Sequence, residues 1–408
     1  MMSDAEFPAA PPTAFLAKQH ALFALRHAKY LPTPYQAEDA SRMTLAYFCL
    51  ASLALIPAST VSTADPSLSA LQVLLKPTQR EGFIDWVYEQ QTAEGGFRGS
   101  DSLAAARHPI AEAEPSTSAV SSLDPPNLIQ TYTALLILGL LDDTFERLDR
   151  QGLLRFIGAC QTSDGSFLQF PGCSEAGDPR STYSAFAVAS MLDDWSTIDV
   201  NLGLYFLNCC RRYEGGFAQR PGLEANAGPT YCAIASFKLA SRLADLAEPH
   251  SLLRWLIDRQ IRPPPPEPSD SSDEDEEQER RGPVRDPNDA AGFQGRVNKP
   301  TDACYSFWNM GAISLLLPAI APDLSIEDVL DPALDRTWLL DCQHKVFGGI
   351  AREPGARPDV YHTYLSLAAL ALGDADGKVL SLRRLDAGWN VPVEVAERMR
   401  SRLWKKER

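Results

Sequence analysis

QTAEGGF (residues 91–97) returns as QTSDGSF (161–167) and RRYEGGF (211–217), and its glycine-aromatic core recurs in AAGFQG (290–295) and QHKVFGG (343–349). The aromatics Phe97, Phe167, Phe217, Phe293 and Phe347 stand 70, 50, 76 and 54 residues apart. Two of these intervals carry insertions: residues 100–126, rich in Ser, Ala and Pro, and residues 263–291, four prolines followed by an acidic run. With the insertions set aside, every interval approaches about fifty residues, a period that signals a repeat architecture.

Between the turns lie helical patterns of two kinds. LIQTYTALLILGLL (128–141), YSAFAVASMLDDW (183–195), TYCAIASFKLASRL (230–243) and CYSFWNMGAISLLL (304–317) are apolar around most of their circumference, which fits helices buried on all sides. REGFIDWVYEQQ (80–91), DRQGLLRFIGACQ (149–161), DVNLGLYFLNCCRR (199–212) and ALDRTWLLDCQ (333–343) are amphipathic and precede the turns. Each unit therefore reads as an outer helix, a glycine turn, a loop and an inner helix, and alternation of period two is scarce. Five or six such pairs could form an open solenoid or close on themselves. Inner helices this apolar favour closure, because an open solenoid shows its ligand a polar concave face. The expected fold is all-α, an α/α barrel over residues 20–385, with a disordered tail at 1–19, a disordered insert at 263–291 and a helical tail at 386–408. SRMTLAYFCLASLALI (41–56) is the most apolar of the helices in the first 90 residues.

The chain has 408 residues, 45% of them hydrophobic, enough for a large core. Its formal net charge is −15; the run EPSDSSDEDEEQERR (267–281) contributes −6 of this, so the remainder is still acidic. Nucleic-acid binding is not expected of such a chain, since phosphate backbones call for clustered Lys and Arg. An acidic surface suits solubility and attracts basic peptide segments. The N-terminus MMSDAEFPAAPPTAF has neither the basic flank nor the apolar core of a signal peptide, and no run of eighteen apolar residues appears, so a cytoplasmic protein without stable membrane insertion is expected. Eight cysteines without a CxxC pair fit small buried hydrophobes better than a disulfide framework.

KPTDACYSFW (299–308) sets a carboxylate, Asp302, two positions from a thiol, Cys304. Residues at i and i+2 do not share a helix face, so the pair belongs where a loop enters a helix. Two ligands make no metal site, and taken alone Asp302 reads as a helix N-cap and Cys304 as a buried small residue. The repeated GGF turns, GFQGRVNKPTDACYSFW (292–308) and PDVYHTYLSL (358–367) together resemble the β subunits of the CaaX protein prenyltransferases, over about residues 20–373. The resemblance implies an α/α barrel, an obligate α subunit, an isoprenoid diphosphate substrate, and one Zn²⁺ held by Asp302, Cys304 and His362, with a fourth position open to the substrate cysteine. Three protein ligands and one free position are the pattern of a catalytic zinc. It further implies that Arg296, Lys299 and Tyr305 meet the diphosphate, that Arg180 lies near the peptide, and that Phe48, Tyr132, Tyr183 and Trp308 line the isoprenoid pocket.

Two positions separate the members of the family. Thr44, in DASRMTLAYF (39–48), stands where the farnesyl enzyme has a tryptophan, and a small side chain there leaves depth for a fourth isoprene unit. Arg352, in GGIAREPG (348–355), stands where the farnesyl enzyme has an aspartate that helps hold Mg²⁺, so the diphosphate would be neutralised directly and no Mg²⁺ is required. Both point to a type I protein geranylgeranyltransferase β subunit, acting with geranylgeranyl diphosphate on CaaX-terminated small GTPases of the Rho, Rac, Cdc42 and Rap kind, usually with Leu last. The chain departs from the family twice. Asn226, in EANAGPTYC (224–232), replaces a histidine that contacts the diphosphate, and Tyr361 is typical of the farnesyl type. The farnesyl and Rab-modifying β subunits are the near alternatives. Terpene cyclases share the barrel, and DDTFE (142–146) resembles their acidic motif but reads more simply as a polar helix end. A non-enzymatic helical scaffold with a structural zinc would need a fourth ligand beside the three.

Overall fold

The computed structural model describes residues 14–63, 65, 67–100, 125–262 and 291–404. The expected insert at 263–291, most of 100–126 and the first thirteen residues of the expected tail therefore lie outside the described residues. Six outer helices, α1 (Ala17–Lys29), α4 (Pro77–Glu89), α6 (Arg150–Cys160), α8 (Val200–Cys209), α10 (Pro249–Ile257) and α13 (Pro332–Asp341), alternate with six inner ones. The inner set is α2 (Arg42–Leu55), α5 (Leu128–Leu140), α7 (Pro179–Leu192), α9 (Ala227–Leu239), α11 (Ala303–Ile320) and α14 (Val360–Gly373). Each inner helix packs on the next in the order α2, α5, α7, α9, α11, α14, and α14 returns to α2, so the ring closes. Short helices α3 (Ala70–Leu74) and α12 (Ile326–Val329) lie in connections, and α15 (Val393–Leu403) ends the described chain. Among the described residues, strand is confined to two pairs, β1 (Gln260–Ile261) with β2 (Gly292–Phe293) and β3 (Leu385–Asp386) with β4 (Val391–Pro392). Helix α11 has the length and hydropathy of a membrane span, but its place is in the ring, two-thirds buried.

The turns that announced the repeat join the outer helices to one another. Gly95 (φ +107°) and Gly165 (φ +89°) adopt backbone that L-residues disfavour, and a Cβ would stand 2.0 Å from the Gly152 carbonyl oxygen and 2.1 Å from that of Leu202. The glutamine that opens each turn clasps the start of the following outer helix. Gln161 donates to the Asp199 carbonyl (2.8 Å) and accepts from the Asp199 N–H (2.7 Å), and Gln260 does the same with Asp331 (2.7 and 2.9 Å). Arg211 fills the position in the third turn and reaches the Glu248 carbonyl at 3.3 Å. The expected equivalence of Phe347 with the other turn aromatics is corrected. Ile350, fully buried, pairs with Gln343 as Phe97 pairs with Gln91, while Phe347 is 60% exposed. QHKVFGGI is one residue longer than QTAEGGF, and the extra residue shifts the aromatic out of the core.

The last clasp seals the ring. Gln343 accepts from the Leu16 N–H (2.9 Å) and donates to the Ala14 carbonyl (3.2 Å), so the final repeat holds the residues leading into α1. Residues 14–19 are thus part of this seam, and α1 begins at Ala17. The Gly349 N–H donates to His20 Nδ1 (3.0 Å), which leaves Nε2 as the protonated nitrogen, donating to Gln343 Oε1 (2.9 Å).

The other end of the inner ring carries a second closure. Tyr132, Tyr183, Tyr231, Phe307 and Tyr364 each stand five residues after their helix N-cap, and Tyr47 six after its own. The hydroxyls converge on the segment between β3 and β4. Tyr231 donates to the Ala387 carbonyl (2.7 Å), Tyr183 to Gly388 (3.0 Å), Tyr132 to Trp389 (2.9 Å), and Tyr364 to Asn390 (2.7 Å), where Tyr47 also binds. Trp389 is buried under Arg400 of α15, which is ion-paired with Asp386 (2.6 Å). The C-terminal stretch is a plug integral to the toroid. DDTFE serves the same assembly: Asp142 pairs with Arg398 and Arg402 of α15 (2.8 Å each), and Asp143 accepts from Tyr88 (2.6 Å), which removes the cyclase reading of those carboxylates. Six of the eight cysteines are buried and all are free.

Burial lowers the pKa of His20 to about 4, against the opposing effect of its bond to Gln343. Between pH 6.5 and 4 the unfolded chain therefore holds a proton that the folded chain does not, and stability falls as pH falls through that window. Urea unfolding at pH 7 and pH 5 should show a loss of about 2 kcal/mol from this group, and a His20→Gln variant, weaker at pH 7, should show a correspondingly smaller drop between the two pH values.

Candidate metal and substrate site

The inner helices run parallel, so their N-termini gather at the rim opposite the plug. Their N-caps are Ser41, Asn127, Asp178, Asn226, Asp302 and Asp359, residue types whose side chains satisfy the free N–H groups of a first helical turn. Asp302 does so for α11, accepting from the Cys304 N–H at 2.9 Å. Asp302 is thus an N-cap, and its carboxylate also stands among the three groups that could hold a metal ion. Asp359 caps α14, accepting from the His362 N–H at 2.8 Å, and its other oxygen lies 2.6 Å from His362 Nδ1. That bond turns Nε2 toward Asp302, whose Oδ1 is 3.3 Å away. Ligand atoms of Asp302, Cys304 and His362 all lie within 4.8 Å of one another, brought together because α11 and α14 are neighbours in the ring.

All three groups are shifted by burial and by one another. Burial lowers the pKa of His362, but the bonds to Asp302 and Asp359 outweigh it and lift the value to about 9. Burial acts to raise the pKa of Asp302, and the bonds from His362 and Cys304 prevail and lower it. The Cys304 thiol is pushed well above its ordinary range by burial and by the Asp302 charge. A thiol, an imidazole and a carboxylate, each partly or wholly withdrawn from water, form a donor set that suits Zn²⁺. The carboxylate behind the imidazole is the customary support of a ligating histidine.

Arg352 is beside this set, since its carbonyl accepts from the Ala303 N–H (2.9 Å); its guanidinium is exposed and paired with Glu353 (2.7 Å). Arg296 pairs with Glu224 at 3.1 Å, and Lys299 is exposed in the same loop. Tyr305 is half-buried, with its ring packed where a Cβ on Gly295 would stand, and it hydrogen-bonds Asn226. Asn226 also caps α9, accepting from the Gly228 N–H at 3.0 Å, a role a histidine fills less well. Arg180 projects from the first turn of α7 and is paired with Asp178 (2.5 Å). Trp308 and Tyr361 flank Cys304, and Phe48 extends this aromatic wall through Tyr361. Phe48 packs on Tyr361 and Tyr364 with centroids at 5.5 and 5.7 Å, and Trp308 Nε1 donates to the Tyr361 hydroxyl at 3.3 Å. Tyr132 and Tyr183 belong to the deep ring, their hydroxyls engaged by the plug. Thr44, in the first turn of α2, faces Gln130 of α5.

Three participants escaped the sequence reading. Asp359 was available from its spacing, a carboxylate three residues before the ligand histidine at a helix start. Glu224, the partner of Arg296, and Gln130, the partner of Thr44, lie 72 and 86 residues from the groups they bind, and no local pattern links them.

The Prenyltransferase alpha-alpha toroid domain family matches residues 15–391. A geranylgeranyl transferase type-1 subunit beta of Dictyostelium discoideum is 31% identical over 368 residues, 87% of this chain and 90% of the relative. The corresponding protein of Arabidopsis thaliana is 31% identical over 380 residues, covering 90% of this chain and 87% of its own length. A protein farnesyltransferase subunit beta of Schizosaccharomyces pombe is 28% identical over 361 residues, 85% of this chain and 77% of that one. Among solved structures, the Candida albicans protein geranylgeranyltransferase-I complexed with GGPP superposes with a TM-score of 0.73 at 25% identity, covering 95% of this chain and 99% of that chain. With its six-pair toroid, its plugged floor and its Asp-Cys-His group at the rim, this chain belongs to the protein prenyltransferase β-subunit family.

Proposed function

We propose that this chain is the β subunit of a type I protein geranylgeranyltransferase, which joins the geranylgeranyl group of geranylgeranyl diphosphate to the cysteine of a C-terminal CaaX motif, most often ending in Leu. The observation that carries it is the convergence of Asp302, Cys304 and His362 at the rim of an apolar toroid whose α2 presents the small Thr44. The greater similarity to type-1 β subunits than to the farnesyl relative supports the C20 donor.

Asp302, Cys304 and His362 would hold Zn²⁺, which supplies a Lewis acid that keeps the substrate sulfur deprotonated near neutral pH. Asp359 keeps the His362 ring oriented and Nε2 available as a ligand. Phe48, Trp308 and Tyr361 exclude water around the reacting carbon, and Arg296, Lys299, Arg352 and the Tyr305 hydroxyl meet the charge that grows on the diphosphate as the carbon–oxygen bond breaks. Arg296 and Arg352 must leave Glu224 and Glu353 to do this, exchanging one exposed carboxylate each for a more highly charged anion. Arg352 beside Asp302 gives the site a fixed cation where Mg²⁺ would otherwise serve. The reading includes an α subunit as obligate partner, small GTPases with basic tails as substrates, and the cytoplasm as the place of action.

The test is co-expression with the α subunit and comparison of C15 and C20 donors on peptides ending in Leu or Ser. The C20 donor with the Leu peptide should give the highest kcat/KM, and Thr44→Trp should lower the C20 to C15 ratio at least about tenfold; a wild type that prefers the C15 donor overturns the subtype. Chelating Mg²⁺ with Zn²⁺ retained should change the rate less than about twofold. Asp359→Ala should weaken Zn²⁺ binding by about 10–100-fold in a competition titration, with the three ligands intact.

A further inference from the structure

Helix α2 carries Thr44 in its first turn, and that turn lacks the local cap its neighbours have. Ser41 makes no side-chain bond to it, whereas Asn127, Asp178, Asn226, Asp302 and Asp359 each cap their own helices. The missing acceptors come from elsewhere in the ring. The Met43 N–H donates to the Gly99 carbonyl at 2.9 Å, and the Thr44 N–H donates to Gln130 Oε1 of α5 at 3.1 Å. The same oxygen accepts from the Thr44 hydroxyl at 3.0 Å. A backbone N–H can only donate, so the amide of Gln130 is held with its oxygen toward Thr44 and the hydroxyl of Thr44 is turned to that oxygen. Gln130 is itself buried, 7% exposed, and its helix start is fixed by Asn127 Oδ1.

Thr44 is partly exposed and carries both a hydroxyl and a methyl. A terpenoid chain has no group to satisfy the hydroxyl, so a Thr44 side chain free to rotate would set an unpaired polar atom against hydrocarbon. Locking the hydroxyl onto Gln130 hides it and leaves the apolar part of the side chain for the ligand. Gln130 also fixes the first turn of α2, and with it the depth at which Thr44 stands.

We propose that Gln130 is a positioning residue for donor length: through its two bonds to Thr44 it keeps the terminal isoprene subsite open and apolar, so that the C20 chain is preferred. This rests on the type I reading and adds to it a determinant outside the metal and diphosphate groups.

The experiment uses the complex with the α subunit and compares kcat/KM for C15 and C20 diphosphates on one Leu-ending peptide. Gln130→Met keeps length and removes the acceptor; the C20 to C15 ratio should fall about tenfold, chiefly through the KM of the C20 donor, with the C15 reaction changed less than twofold. Gln130→Glu retains the acceptor oxygens and should hold the ratio within about threefold of wild type, which separates the acceptor role from mere packing. A Gln130→Met complex with the wild-type ratio, or a Gln130→Glu complex whose ratio falls as far as that of Met, overturns the proposal. Should the Met variant fail to assemble, the Glu variant decides alone: a C20 to C15 ratio more than about threefold below wild type overturns the proposal. A wild type that favours C15 refutes the type I reading itself, whereas a C20-preferring wild type with an unresponsive Gln130 refutes only this inference.

Discussion

Six parallel inner helices in a closed ring are the constraint on which everything else in the protein rests. Parallel packing sends all six first turns to one rim, where backbone N–H groups lack intrahelical partners and must find acceptors. Short polar side chains supply them, and two of these caps, Asp302 and Asp359, also shape the group that could hold a metal ion. The same rim carries the positive ends of six helix dipoles, a setting that favours a diphosphate over an uncharged ligand. Site and scaffold therefore share atoms: the carboxylate that starts α14 orients His362 of the same helix, and the one that starts α11 faces that imidazole.

Packing of α11 on α14 turns distant residues into a site, and closure of the ring brings Phe48 of α2 beside it. Cys304 and His362 are separated by α12, α13 and their turns, and His362 meets Asp302 because α14 packs on α11. The seam at Gln343, His20 and Leu16 keeps the last repeat against the first. At the opposite end, five tyrosine hydroxyls bind four consecutive carbonyls of residues 387–390, and their buried phenols stay neutral because burial drives their pKa values up. Polar groups at the base of an apolar ring are thus spent on the chain itself, which gives the toroid a floor.

Exposed ion pairs at the rim have a different character. Arg296 with Glu224 and Arg352 with Glu353 are half in water, where such pairs contribute little to stability. They are suited to exchange partners at small cost. The buried group of Asp302, Cys304 and His362 is not, since each member is withdrawn from solvent and held by a neighbour. The site thus combines a group that could hold a metal ion with exposed cations.

The repeat, the helix pairs and the closed ring were legible in the sequence, because the period of the Gly-aromatic turn and the apolarity of the inner helices are local properties of the chain. The ligand triad was legible only through its resemblance to a family, since Asp302 and Cys304 by themselves read equally as a cap and a buried thiol. Phe347 was misassigned because one added residue in a turn changes which side chain faces inward, a matter of backbone geometry. Contacts between repeats were beyond the sequence: Gln130 on Thr44, Glu224 on Arg296, and the tyrosine ring on the plug join residues as many as 343 positions apart. Helical periodicity determines which face of each helix is buried, whereas only the packed ring determines which residues of two such faces meet.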